Sequence, residues 1–335
     1  MKHAPKSPPR RGAALLLAML ILVMVATITA GMVWRQNSAL QIEAAERARA
    51  QAAWILAGAL DWSRLILRED ARSSRGQGSA VDSLDEPWAT PLAEARLSTF
   101  LAVDKDNNAD SGPEAFLSGS IVDAQSRWNL RRVVADDGTP VEAEVKALDQ
   151  LCTQAGLPTG TAMRIAISVG AAWAPRVEPA AGTTQQAPLP PSRLAELSWL
   201  GIEATIIERL TPWVDLLPQR TPVNLNTAAR EVLMAAVTGL DSGSAERLVQ
   251  ARQRKPFASL EIAQKLLPES MKLEEGRVSV GSGWFLVTGR LRLEDRVLEE
   301  RSLLERQGNE VTVRRRERVS LLAESADAVT AGAPR

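Results

Sequence analysis

Asp104, Asp106, Asn108 and Asp110 place four oxygen-bearing side chains at alternate positions, the spacing in this sequence that most directly suggests chemistry. A hard cation such as calcium takes six or more oxygens at short range, and a calcium loop presents them by this kind of alternation. The EF-hand form is not met, because Ala109 stands where its turn glycine belongs and Ala115 where its closing glutamate belongs. Two readings therefore stand side by side: a solvated acidic loop with no cofactor, and a calcium site at those four residues. Other chemistries fail for want of residues. One histidine, His3, and one cysteine, Cys152, do not make a zinc site of the usual nitrogen and sulfur type. Beyond His3 no histidine remains for a Ser-His-Asp triad, and no carboxylate pair is singled out by spacing, so the chain is read as not an enzyme. Cys152 has no intrachain partner and reads as a buried structural thiol.

A second constellation could grip a phosphate. In PVNLNTAAREVLMAAVTGLDSGSAERLVQARQRKPFASLEIA, residues 222–263, Asn-x-Asn-Thr-Ala opens a helix with Asn226 or Thr227 as its N-cap. A short connection leads to a second helix, and Pro-Phe precedes a third. A phosphate-holding hairpin uses Gly-hydrophobic-Gly and then a basic residue, so that backbone N–H groups face the anion. Here the run is Gly239, Leu240, Asp241, Ser242, Gly243, Ser244, and Asp241 would turn a carboxylate toward the phosphate. Arg247, Arg252, Arg254 and Lys255 lie nearby, but 40 basic and 40 acidic residues leave no net field to attract a polyanion. Nucleic acid is not an expected partner.

Those residues need elements to hold them. Ala13 to Trp34 carries no charge, and about 22 residues at about 1.5 Å each give a helix of roughly 33 Å, enough to cross a bilayer. Lys2, Lys6, Arg10 and Arg11 precede it with no acid among them, which predicts a cytoplasmic N-terminus and export of the rest. A cleaved secretory signal needs small residues at spacing two after the apolar run, and Ile28/Ala30 and Met24/Ala26 fit poorly. The helical pattern continues through Leu40, Ile42, Trp54, Leu56, Leu60, Leu65 and Leu67, with Glu43 and Arg47 as a supportive i, i+4 pair. One helix from Ala13 to Arg68 is expected.

A Gly/Ser/acid loop, residues 71–87, should end that helix, and PLAEARLSTFL suggests a short amphipathic turn or helix. A strand follows at Ser118 to Asp123, then two helices within 141–174 punctuated by Gly156 and Pro158. Residues 177–193 are Pro/Gln/Thr-rich and read as a mobile connection, and two short helices flank Gly201. From Gly276 the period becomes two, which predicts strands at 278–280, 284–293, 296–307 and 311–318. One face of this sheet needs a cover, and the C-terminal half of the long helix can supply it. RRRER reads as a solvated edge strand and Leu321 to Arg335 as a frayed tail.

A basic leader ending in Gly12, then a small residue and a hydrophobic helix, resembles the class III signal of type IV prepilins and pseudopilins. The resemblance implies that a prepilin peptidase cuts between Gly12 and Ala13 and methylates Ala13, leaving the helix as anchor. Most of that family carries Glu at the fifth mature residue, where it meets the subunit above; here the fifth is Leu17, as in the K-type minor pseudopilins of type II secretion. IVDAQSRWNLR resembles that family's Ile-x-Asp-x-x-x-Arg-hydrophobic-Asn-Leu-Asn, met by Ile121, Asp123, Arg127, Trp128, Asn129 and Leu130, with Arg131 replacing the last Asn. Asp123 and Asn129 suit a structural part, capping backbone donors at a strand end. The VNLNTA helix resembles the second half of the family's helical domain.

The implied fold is α+β: a pilin-like long N-terminal helix packed on an antiparallel sheet, interrupted by a large all-α insertion. Its expected divisions are a leader at 1–12, a membrane part at 13–34 and a periplasmic helix at 35–70. The first part of the pilin-like domain takes 71–130, the insertion 131–272, the terminal sheet 273–321 and the tail 322–335. The implied function is that of a tip subunit which starts the pseudopilus with minor pseudopilins I and J and helps export folded proteins through the outer membrane. Other pseudopilins, the prepilin peptidase and the inner membrane are the further implied partners, and family members are often calcium binders. The competing reading is a membrane-anchored DNA-uptake protein built around the helix-hairpin-helix-like segment.

Overall fold

A computed structural model describes residues 11–76, 81–97, 115–174, 188–293 and 296–322. The chain divides into two units, Met1–Ala57 and Gly58–Arg335. Helix α1 runs from Arg11 to Gly76, a start and an end both beyond the expected 13–68. No proline interrupts it, and Gly58 has open space around it, so a helix long enough to pass several weak positions persists.

In the first unit α1 is apolar and exposed from Ala14 to Trp34, and the segment beginning at Ala14 meets the length and hydropathy of a membrane span. The charges that follow pair along the helix, Glu43 with Arg47 and Glu46 with Arg49.

In the second unit the last turns of α1 cover a sheet. Leu60 and Leu67 form a core with Trp88, Ile121, Phe285, Val287, Leu304 and Val311. The sheet has the order β1-β2-β7-β8-β9 and is antiparallel throughout, from β1 (Leu92–Arg96), β2 (Ala115–Asp123), β7 (Trp284–Leu293), β8 (Arg296–Gln307) and β9 (Glu310–Leu322). The bounds of β7 and β8 coincide with those expected from the period of two. β1 replaces the expected turn or helix: LAEAR alternates as well as it spirals, and pairing with β2 decides for the strand. The Arg315 side chain donates to the Ser192 carbonyl, while Arg316 and Arg318 bind Glu300, so the edge strand β9 is tied down rather than simply solvated.

β2 ends at Asp123 and its neighbour β7 begins at Trp284, so everything between is an excursion from the sheet. It holds β3 (Trp128–Asn129), α2 (Glu142–Gln154), α3 (Thr161–Trp173), α4 (Ala204–Leu210), β4 (Val214–Asp215), β5 (Val223–Asn224), α5 (Arg230–Ala236), α6 (Ser242–Arg254), α7 (Leu260–Gln264) and β6 (Val278–Ser279). These elements share one core, in which Leu148, Ile165, Leu197, Leu225, Leu233 and Leu248 are buried. Gly201, at a left-handed φ of 78°, ends the short helical stretch Leu194–Leu200. Two two-residue parallel pairs, β3 with β4 and β5 with β6, were not expected. Their partners lie far apart in sequence, and two residues carry no readable period. The expected calcium ligands, the greater part of the Pro/Gln/Thr-rich connection and nearly all of the tail fall outside the described residues.

Candidate functional site

Gly12 and Ala13 lie in the first turn of α1, and Leu17 follows with its side chain 60% exposed. After them the helix presents apolar side chains: Leu15, Leu16, Met19 and Leu20 are all exposed. Such a face does no bond chemistry; it can bury itself in lipid or against another apolar helix.

The two family-like motifs are separated by about a hundred residues in the sequence, yet they meet. Asp123, at the end of β2, accepts hydrogen bonds at Oδ2 from Ser282 Oγ (2.7 Å), Thr227 Oγ1 (2.6 Å) and Asn224 Nδ2 (2.9 Å), and at Oδ1 from the Gln125 N–H (2.7 Å). Burial raises the pKa of this carboxyl, and the four donors oppose the shift. Asn129 does the expected capping of the Arg131 N–H at 3.0 Å and also accepts from the Leu217 N–H at 3.2 Å. Asp123 and Asn129 thus close strand ends by satisfying backbone donors, a structural part.

Asn226 and Thr227 are not the N-cap they were expected to be. α5 starts at Arg230 after Ala229, which gives no side-chain cap. Thr227 is spent on Asp123, and Asn226 reaches across to Phe257, accepting from its N–H (2.8 Å) and donating to its carbonyl (3.0 Å). Burial won over local capping, because an unpaired amide in this core would cost more than a missing cap.

The hairpin behaves as its residues require. Asp241 caps α6, accepting from Ser244 N–H at 2.9 Å and Ser244 Oγ at 2.7 Å. The carboxylate therefore occupies the Ser244 amide, one that a phosphate would need. Arg252, counted among the nearby bases, is half-buried, with its pKa lowered to about 10 by desolvation, and donates to the Leu225 carbonyl at 2.6 Å. Cys152 is buried and its thiol is pushed up to about 12 by desolvation and then by Asp149.

One cluster was not foreseen. Asp70 near the end of α1, Asp82 and Glu86 bring their carboxylates within 4.8 Å of one another. Arg306 of β8 binds Asp70 at 2.7 Å and Asp82 at 2.5 and 2.7 Å, so the group is a satisfied joint and not a vacant cation site. Glu86 accepts from the Trp88 indole N–H. Its pKa rises to about 7, first through burial and then through the charges of Asp70 and Asp82, with the Trp88 bond opposing. The signal in the sequence was the parity of β8, which puts Arg306 on the same face as the buried Leu304.

Three comparisons bear on this architecture. A family model described as type II secretion system (T2SS), protein K, matches residues 223–280. A protein of Pectobacterium carotovorum subsp. carotovorum named type II secretion system protein K is 32% identical over 92% of this chain and 96% of its own. A protein of the same name from Pseudomonas aeruginosa is 30% identical over 86% of each chain. Among solved structures, a complex of GspK, GspI and GspJ from enterotoxigenic Escherichia coli gives a chain with TM-score 0.54 at 17% identity, covering 82% of this chain and 98% of that one, a likeness of fold.

Proposed function

The chain belongs to the type II secretion system protein K family, and from that premise we propose that it caps the tip of the pseudopilus together with minor pseudopilins I and J. It is a minor pseudopilin, a structural component of the secretion system and not an enzyme, with one apolar helix as its membrane anchor. In the proposed sequence of events the prepilin peptidase cuts between Gly12 and Ala13 and methylates Ala13. Residues 13–34 then hold the protein in the inner membrane with a cytoplasmic N-terminus and the remainder in the periplasm. The processed helix joins those of other pseudopilins, which starts assembly and supports export of folded proteins across the outer membrane.

Leu17 is the observation that carries the tip position. A charged fifth residue would have to be neutralised by the N-terminus of a subunit above, since an isolated carboxylate in lipid is costly. An apolar leucine asks for no such neighbour. The bulk of the excursion between β2 and β7 is in keeping with a subunit that has others below it and none above.

Co-expression of the full chain with minor pseudopilins I and J, followed by purification in detergent through a tag on this chain, tests the partnership. Recovery of all three in fixed proportion is expected, and recovery of this chain alone under the same conditions would contradict it.

A further inference from the structure

Hydrogen bonds run without a break from the end of α1 to the middle of the helical excursion. Arg306 takes Asp70 on one side and Asp82 on the other, and donates to the Ser282 carbonyl at 2.9 Å. Asp82 accepts from the Ser282 N–H at its side chain (2.7 Å) and from Asn224 Nδ2 at its carbonyl (3.0 Å). Ser282 and Asn224 both bind Asp123, the Asn224 Oδ1 accepts from the Asn226 N–H at 3.0 Å, and Asn226 holds Phe257 between α6 and α7.

We propose that Arg306 is a clasp through which the order of the last turns of α1 and the seating of the excursion on the sheet are coupled, so that loosening either end loosens the other.

Burial makes the coupling strong. The side chains of Arg306, Asp70 and Asp82 are only 6%, 9% and 1% exposed. Without the guanidinium two carboxylates would face each other out of water, a costly state that is relieved when they part. Asp82 cannot move alone, because Ser282 and Asn224 would each lose a partner in a place where water does not replace it. Asp123, 2% exposed, would then lose two of its four donors. The Phe285 ring lies 4.7 Å from the Arg306 guanidinium and belongs to the core that also holds Leu60 and Leu67, so the same displacement reaches the apolar contacts of α1. A coupling of this kind is reciprocal: the excursion's hold on Asn224 must stabilise α1 as much as α1 stabilises the excursion.

Hydrogen exchange of the full chain in detergent, read by mass spectrometry, tests it. Arg306→Gln is expected to speed exchange by at least about 5-fold both at 60–70 and at 223–228, and Asn224→Ala to do the same at both places. Gly170→Ala, which disturbs the excursion at a site outside this line of bonds, is expected to speed exchange at 60–70 less than Arg306→Gln does. Should Arg306→Gln not fold, Arg306→Lys, which keeps the charge but loses the two-sided fork, is read at the same two segments. Effects of Arg306 variants confined to 60–70 and 81–86, with those of Asn224→Ala confined to 223–228, would overturn the proposal. An equal acceleration at 60–70 in Gly170→Ala would overturn it too, since general loosening would then explain the result.

Discussion

Glu86 carries the clearest consequence of a single environment. In an unfolded chain its carboxyl titrates near 4.5, whereas in the fold burial and the neighbouring acids hold it near 7. Between those two values the native state keeps a proton that the unfolded state has lost. The stability this group contributes is therefore complete below about pH 4.5 and is lost as the pH rises through about 7. Asp70, raised by its own burial, acts in the same direction. Glu86→Gln is expected to flatten the fall of melting temperature across that window, and a slope equal to that of the unaltered chain would show that Glu86 is already ionised there. At this scale the sequence was informative wherever a side chain serves its own neighbourhood. Asp123 and Asn129 cap donors two residues away, as their types at a strand end suggested, and Asp241 caps one three residues away. Asn226, Thr227 and Arg306 serve partners far along the chain, and a local reading does not reach them.

Among the elements, period was a good guide where the run was long. β7 and β8 run for ten and twelve residues, and the helices α2 and α3 for thirteen each. β1 and the two-residue parallel pairs depend on what lies beside them, which no short stretch encodes. One close backbone approach is also non-local. A Cβ on Gly170 of α3 would lie 2.3 Å from the carbonyl oxygen of Gly138, itself held at a left-handed φ of 84°. Gly170→Ala is expected to lower stability by about 1–3 kcal/mol in thermal or denaturant unfolding. Gly58→Ala in α1, where nothing lies within 4 Å, is the contrast, expected to be neutral or stabilising by up to about 1 kcal/mol. A Gly170→Ala variant as stable as its parent would mean that the two backbones can separate freely.

For the whole molecule, the order of long helix, first strand, helical excursion and returning sheet was legible because each part changes period or composition at its boundary. The joint that ties those parts together was not, since its members are scattered from Asp70 to Arg306 and each looks ordinary alone. The same division holds for function. The apolar segment announces an anchor, and relatives spanning most of the chain identify its family. The processing step at its head is the central claim, and it leaves a chemical mark that mass spectrometry reads directly. The intact mass and N-terminal peptide of the membrane-purified protein, taken from strains with and without the prepilin peptidase, test it. A chain beginning at N-methylated Ala13 with the peptidase, and the uncut leader without it, is the predicted result; an intact Met1 in the peptidase-positive strain would contradict the account.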